Sequence, residues 1–204
     1  MIGILKIGHG NIRSLINILD RFGYDFQLVS SKNDFKKIDK LILPGVGSFY
    51  SSMKELEISN LIEPIQEFSL HQDILGICLG MQLMMKSGSE GGQSMGLSLV
   101  NGNVKILPRN HGRLPHIGWN EVYVKEKNSI MNNVENNSNV YFVHSYECIV
   151  DESENIKKIY SSFFKYEFLA GFQKGNIFGT QFHPEKSQRI GDVILKNFLE
   201  HPDA

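Results

Sequence analysis

Asp73-Ile74-Leu75-Gly76-Ile77-Cys78-Leu79-Gly80-Met81-Gln82 is the stretch on which the architecture turns. It opens with a short apolar run, as a strand buried on both faces of a sheet requires, and apolar residues then continue through Met81, Leu83, Met84 and Met85. The pattern predicts a strand over 73–77 and a core helix over 79–86, with a turn between them sharp enough to need glycine on both sides of Cys78. Gly-x-nucleophile-x-Gly between strand and helix is the nucleophile-elbow pattern, here with Cys where many hydrolases place Ser. Such a turn exposes the nucleophile. The N–H groups that open the following helix favour thiolate at the sulfur and offer donors to an oxyanion. A lone cysteine is also a common packing residue, and this pentapeptide alone does not separate the two readings.

Outward from the elbow, short apolar runs alternate with helical periodicity. Strands are predicted over 2–7, 26–29 and 40–43, followed by 103–107, 121–125, 140–144, 168–173 and 177–182. After Gly8-His9-Gly10, Asn11 is a plausible N-cap for a helix carrying Ile12, Leu15, Ile16, Leu19 and Phe22, which Gly23 stops. Further helices are expected over 50–68, with a break near Pro64, and over 190–199. The Asn-rich stretch 128–139 reads as a mobile exposed loop. Alternating strands and helices in the first half predict an α/β fold: an open, mostly parallel sheet with helices on both faces plus β-hairpin additions. With no linker or repeat, the 204 residues are expected to form a single domain over 1–204.

Composition narrows the classes. The chain is 41% hydrophobic and 21% charged, with a formal net charge of −1, so it lacks the basic excess of a nucleic-acid or anionic-membrane binder. No apolar run has the length of a membrane span, and the start is too short and too weakly basic for a secretory leader. Two cysteines, Cys78 and Cys148, make no disulfide framework, and no Cys/His cluster has zinc spacing. The expectation is a cytoplasmic protein with no metal and no cofactor.

A nucleophilic thiol needs a base. Of the seven histidines, His183 stands apart because it closes a strand and is followed by Pro184 and Glu185. Pro184 stops the strand there, and Glu185 is placed to bond one ring nitrogen and leave the other facing the thiol. The other six, His9, His71, His111, His116, His144 and His201, read as structural or solvated residues. Cys148 sits in a strand-like run without glycines and reads as packing. Pro44-Gly45-Val46-Gly47 follows a third strand end and offers a peptide free to turn its N–H outward. Gly8-x-Gly10 is not a dinucleotide fingerprint, because Arg13 occupies the third glycine's place.

Gly76-Ile77-Cys78-Leu79-Gly80-Met81-Gln82 with Phe182-His183-Pro184-Glu185 resembles the class I glutamine amidotransferase family. Pro44 to Phe49, Pro115-His116-Ile117-Gly118-Trp119-Asn120, Tyr141 to Tyr146 and Glu185-Lys186-Ser187 are similar to one branch of it, the glutaminase subunits of imidazole glycerol phosphate synthase. The likeness spans essentially the whole chain and implies a flavodoxin-like amidotransferase fold. It implies that Cys78 attacks the glutamine amide, that His183 is general base and acid, and that Glu185 orients His183. Gly45, Val46, Gly47 and the Leu79 N–H would form the oxyanion hole. Gln82, Ser145 and Tyr146 would hold the amino-acid end of L-glutamine. Asn11, Trp119, Tyr141 and Lys186 would face a (β/α)8 cyclase subunit that receives the ammonia. Where many members read Asp-Tyr-Gly-Met-Gly-Asn, this chain has Lys6-Ile7-Gly8-His9-Gly10-Asn11. A related subunit supplying ammonia for amidino sugars, a stand-alone γ-glutamyl hydrolase and a silent interaction module stand as alternatives.

Overall fold

The computed structural model describes residues 1–7, 12–45 and 47–202. In chain order the first half runs β1 (Ile2–Leu5), α1 (Arg13–Phe22), β2 (Phe26–Val29), β3 (Lys40–Leu43), α2 (Phe49–Ile58), α3 (Ile62–Ser69), β4 (Asp73–Ile77) and α4 (Leu79–Leu83). The second half runs β5 (Met85–Gly88), β6 (Ser94–Met95), β7 (Val100–Ile106), β8 (His116–Val124), β9 (Ser138–His144), β10 (Tyr146–Val150), β11 (Lys157–Phe163), β12 (Tyr166–Lys174), β13 (Ile177–Thr180) and α5 (Gln188–Leu199).

Nine strands form one sheet in the order β2-β1-β3-β4-β13-β12-β11-β8-β9. The β2-β1-β3-β4-β13 portion is parallel, and the remaining strands extend it antiparallel. Side chains alternate across the parallel strands, so neighbouring positions serve different layers. Leu41, Leu43 and Ile74 pack with Phe49, Met53 and Leu56 of α2, Ile65 of α3 and Met81 of α4. Ile42, Leu75 and Ile77 pack on the other face with Leu15 and Leu19 of α1 and with Ile194, Leu195 and Phe198 of α5. Both faces are therefore covered, which is why these strands read as continuous apolar runs. A second sheet, β10-β7-β5-β6, adds Met85, Val100, Val104 and Cys148 to the first of these cores. Cys148 is buried there, and burial pushes its thiol pKa well up. Among the described residues no helix is long and apolar enough to cross a membrane.

Several local expectations are corrected. The residue preceding α1 is Ile12, without a side-chain cap, while the proposed cap Asn11 lies outside the described residues. Gly23 ends α1 as expected, at φ 74°. The break in the helical stretch 50–68 falls at Ser59 to Leu61, with Asn60 at φ 54°, and Pro64 sits in the first turn of α3. A first-turn proline loses no intrahelical hydrogen bond, so it opens the helix instead of breaking it.

The core helix expected over 79–86 ends at Leu83. Met85 begins β5 instead, pairing with Val100. Met84 and Met85 are fully buried, but between a helix and a sheet, where an apolar run has no diagnostic period. The stretch 128–139 is not a free loop at its start. Asn128 caps a short 3-10 turn, Ser129–Met131, whose Ile130 and Met131 are buried in the core. Asn197 of α5 donates to the carbonyls of Ile130 and Asn132 and fastens this turn to the helix.

Candidate active site

The elbow is as sharp as its glycines demand. Cys78 has φ 52° and ψ −107°, a backbone that residues with a Cβ rarely adopt. A Cβ on Gly80 would stand 1.9 Å from the Leu43 carbonyl oxygen, and one on Gly76 would stand 2.6 Å from the carbonyl carbon of Gly80. The turn can only close with both positions bare.

Two bonds tie it to the end of β13 and the residue that follows: the Cys78 N–H donates to the Thr180 carbonyl at 2.6 Å, and the Gln181 side-chain amide donates to the Cys78 sulfur at 3.6 Å. The strand expected over 177–182 ends at Thr180, and the chain runs on without regular structure to His183, whose N–H donates to the Tyr141 carbonyl at 2.9 Å. The Ser187 hydroxyl donates to the His183 carbonyl at 2.7 Å and accepts the Tyr141 N–H at 2.9 Å. Both ends of the His183 peptide are thereby fixed, and its ring is buried.

Nδ1 of His183 is 2.7 Å from Oε1 of Glu185, so the carboxylate takes one ring nitrogen. Nε2 is buried without a nitrogen or oxygen partner among the described residues. Burial presses the imidazole pKa down, but the Cys78 sulfur and the Glu185 carboxylate outweigh it and raise the pKa to about 10. The thiol and the imidazole line one pocket of about 250 Å³ together with Gly45, Gly47, Leu79, Gln82, Ser145 and Tyr146. The pocket lies at the C-terminal ends of β3, β4 and β13, where open parallel sheets place their sites. A thiol, an oriented imidazole and the N–H groups opening α4 form a constellation suited to acyl transfer through a thioester.

A family model for class-I glutamine amidotransferases matches residues 4–201. The chain belongs to that family. Among its relatives, the imidazole glycerol phosphate synthase subunit HisH of Moorella thermoacetica is 39% identical, over 98% of this chain and 94% of the relative. The protein of the same name from Caldanaerobacter subterraneus subsp. tengcongensis is 40% identical, over 98% of each chain. A solved structure of a glutamine amidotransferase from Thermotoga maritima superposes with a TM-score of 0.67, at 19% identity and over 98% of this chain and 81% of the other.

For this amidotransferase, most residues named from the sequence come together. Cys78, Leu79, Gln82, Gly45, Gly47, Ser145, Tyr146 and His183 line the pocket, and Glu185 stands behind the imidazole. Val46 and Asn11 lie outside the described residues. Trp119, Tyr141 and Lys186 gather away from the pocket. Trp119 faces Tyr141 across the β8–β9 pair with ring centroids 5.9 Å apart, and the Lys186 ammonium is 5.8 Å from the Tyr141 ring. Trp119 is exposed there.

Glu90, Pro115, Val143 and His144 also line the amidotransferase pocket, though none of them was assigned a role in the site from the sequence, and Gln181 lies buried beside it. Glu90 lines the pocket, accepts the Phe49 N–H at 3.0 Å, and has its pKa raised by burial, with that hydrogen bond opposing. Its only sequence signal is a carboxylate within the glycine-rich segment 88–92. Gln181 bridges Gln82 and the sulfur, with its Oε1 accepting from Gln82 Nε2 at 3.1 Å. Among the described residues no group of three His, Cys, Asp or Glu could hold a metal.

Proposed function

We propose that the chain is the glutaminase subunit of imidazole glycerol phosphate synthase, working in the cytoplasm as one amidotransferase unit over residues 1–204. It hydrolyses L-glutamine to L-glutamate and ammonia and passes the ammonia to a (β/α)8 cyclase subunit of histidine biosynthesis. The observation that carries the chemistry is the Cys78, His183 and Glu185 set converging on one pocket. The pathway rests on the full-length relatives at about 40% identity that bear this subunit's name.

The steps follow from the residues. The Cys78 sulfur attacks the side-chain carboxamide carbon while His183 holds the proton. The resulting oxyanion is stabilised by the Leu79 N–H and by peptide N–H groups of the Gly45-Val46-Gly47 segment. His183 passes its proton to the amide nitrogen, the C–N bond breaks, and ammonia leaves behind a γ-glutamyl thioester. His183 then takes a proton from water, which attacks the thioester, and the sulfur departs as glutamate forms. Glu185 keeps one imidazole tautomer throughout. Gln82, Ser145 and Tyr146 hold the amino-acid end, and Glu90 supplies the carboxylate that an α-ammonium group requires. Asn11, Trp119, Tyr141 and Lys186 form the face towards the cyclase. An exposed tryptophan packed edge-on against tyrosine is the kind of aromatic anchor that interfaces use.

The test is glutamate formation from glutamine, alone and with the barrel partner and its ligand. The expected result is slow turnover alone and a large rise in the complex. A high rate without partner indicates a stand-alone hydrolase, and no response to the histidine-pathway barrel points to a different ammonia acceptor.

A further inference from the structure

His116 of β8 and His144 of β9 stand opposite one another in the strand register, and both are buried. Nδ1 of His116 is 3.0 Å from Nε2 of His144, and Nδ1 of His144 is 2.8 Å from the Tyr146 carbonyl oxygen. Nε2 of His116 is 3.4 Å from the side-chain amide of Asn120.

The far end of this line fixes every hydrogen on it. A carbonyl only accepts, so His144 carries its hydrogen on Nδ1 and accepts at Nε2. His116 must then donate from Nδ1 and accept from Asn120 at Nε2. One direction of donation satisfies all four groups with both rings neutral. Burial keeps them so, lowering the pKa to about 4 at His116 and about 3 at His144. With both nitrogens of each ring engaged, neither histidine is free to exchange protons with a substrate.

What the line holds is a wall of the pocket. The Tyr146 carbonyl that receives it also accepts from Gln82 Nε2 at 3.2 Å, and His144, Ser145 and Tyr146 all face the cavity. We propose that His116 and His144 are positioning residues, a strut of two imidazoles that sets the His144-Ser145-Tyr146 turn for the amino-acid end of glutamine. The proposal rests on the glutaminase reading above. The competing role is aromatic packing, since the His116 ring lies 4.9 Å from Phe142 and 5.1 Å from Phe163. Two substitutions separate them. His116→Phe keeps an aromatic ring and loses the donor, whereas His116→Asn loses the ring and keeps a donor at the Nδ position.

The experiment measures labelling of Cys78 in the full chain by two alkylating reagents: a chloroketone analogue of glutamine bearing the α-amino acid group, and iodoacetamide, which lacks it. With His116→Phe the glutamine-like reagent should slow about tenfold, the scale of one lost hydrogen bond, while iodoacetamide keeps its wild-type rate. His116→Asn should stay near wild type with both. Wild-type labelling of His116→Phe, equal slowing with both reagents, or a His116→Asn loss as large as that of His116→Phe would overturn the strut. A wild-type thiol that reacts with iodoacetamide but not with the glutamine-like reagent would overturn the glutaminase reading, and the strut with it.

Discussion

The backbone N–H of Cys78 donates to the carbonyl of Thr180 at 2.6 Å, three residues before His183. The proposed nucleophile and base are thus joined through the parallel pairing of β4 with β13, in which Ile77 faces Thr180. Their separation is set by main-chain bonds more than by the side chains themselves.

Because the elbow is held by backbone, removing the thiol should spare the fold. Cys78→Ala is expected to lower glutamate formation by roughly 10³-fold or more, the scale for loss of a nucleophile. Its thermal midpoint should stay near wild type. Cys78→Gly, which relieves the positive φ, should be more stable than Cys78→Ala by about 1 kcal/mol. Turnover by the alanine variant would remove Cys78 as nucleophile.

The raised pKa of His183 makes stability depend on pH. The folded chain holds the imidazole proton up to about pH 10, whereas an unfolded histidine releases it near pH ~6.5. The stabilisation is therefore complete below pH ~6.5, falls as pH rises towards 10, and is absent above it. Glu185→Gln removes one of the groups that raise the pKa, so its decline should end at a lower pH. Urea unfolding at stepped pH values checks this, and identical slopes in the variant and wild type would contradict it.

Gly80→Ala should be among the most damaging single changes in the chain. The added methyl would lie 1.9 Å from a main-chain oxygen of β3, so backbone must move. The expected loss is about 3 kcal/mol or more in denaturant unfolding, in the range of severe strain. A loss within ~0.5 kcal/mol, typical of a surface change, would show that the elbow relaxes easily.

Glu90→Gln should act on binding rather than on chemistry. If the carboxylate receives the α-ammonium of glutamine, KM rises about tenfold or more while kcat changes little, because a charge-assisted bond common to ground and transition states is lost. Steady-state kinetics with the partner present makes the distinction, and an equal fall in kcat and kcat/KM would place Glu90 in the chemical step.

The parallel strands and the gathering of Cys78, His183 and Glu185 were legible because local pattern and chemistry agreed there: apolar runs ending in Gly76 or Pro44, and a proline fixed behind His183. Strands β5, β6 and β11 were not, whereas β10 had shown itself as the strand-like run around Cys148. β5 follows an apolar helix without any polar break, and β6 has only two residues, too few for alternation to show. The role of Glu90 was hidden because the pocket it enters is formed by segments distant in sequence. His116 and His144 read as structural or solvated histidines until the strand register brought their rings together. Asn128 looked like part of a solvated loop because asparagine is common in loops, yet its side chain caps the turn that buries Ile130.

The position of β13, between β4 on one side and β12 on the other, has a consequence for biosynthesis. A ribosome releasing this polypeptide makes the cysteine early and the histidine more than a hundred residues later, just after the strand that joins β4 to β12. A nascent chain therefore carries the Cys78 thiol without the His183 imidazole beside it until β13 has paired with β4.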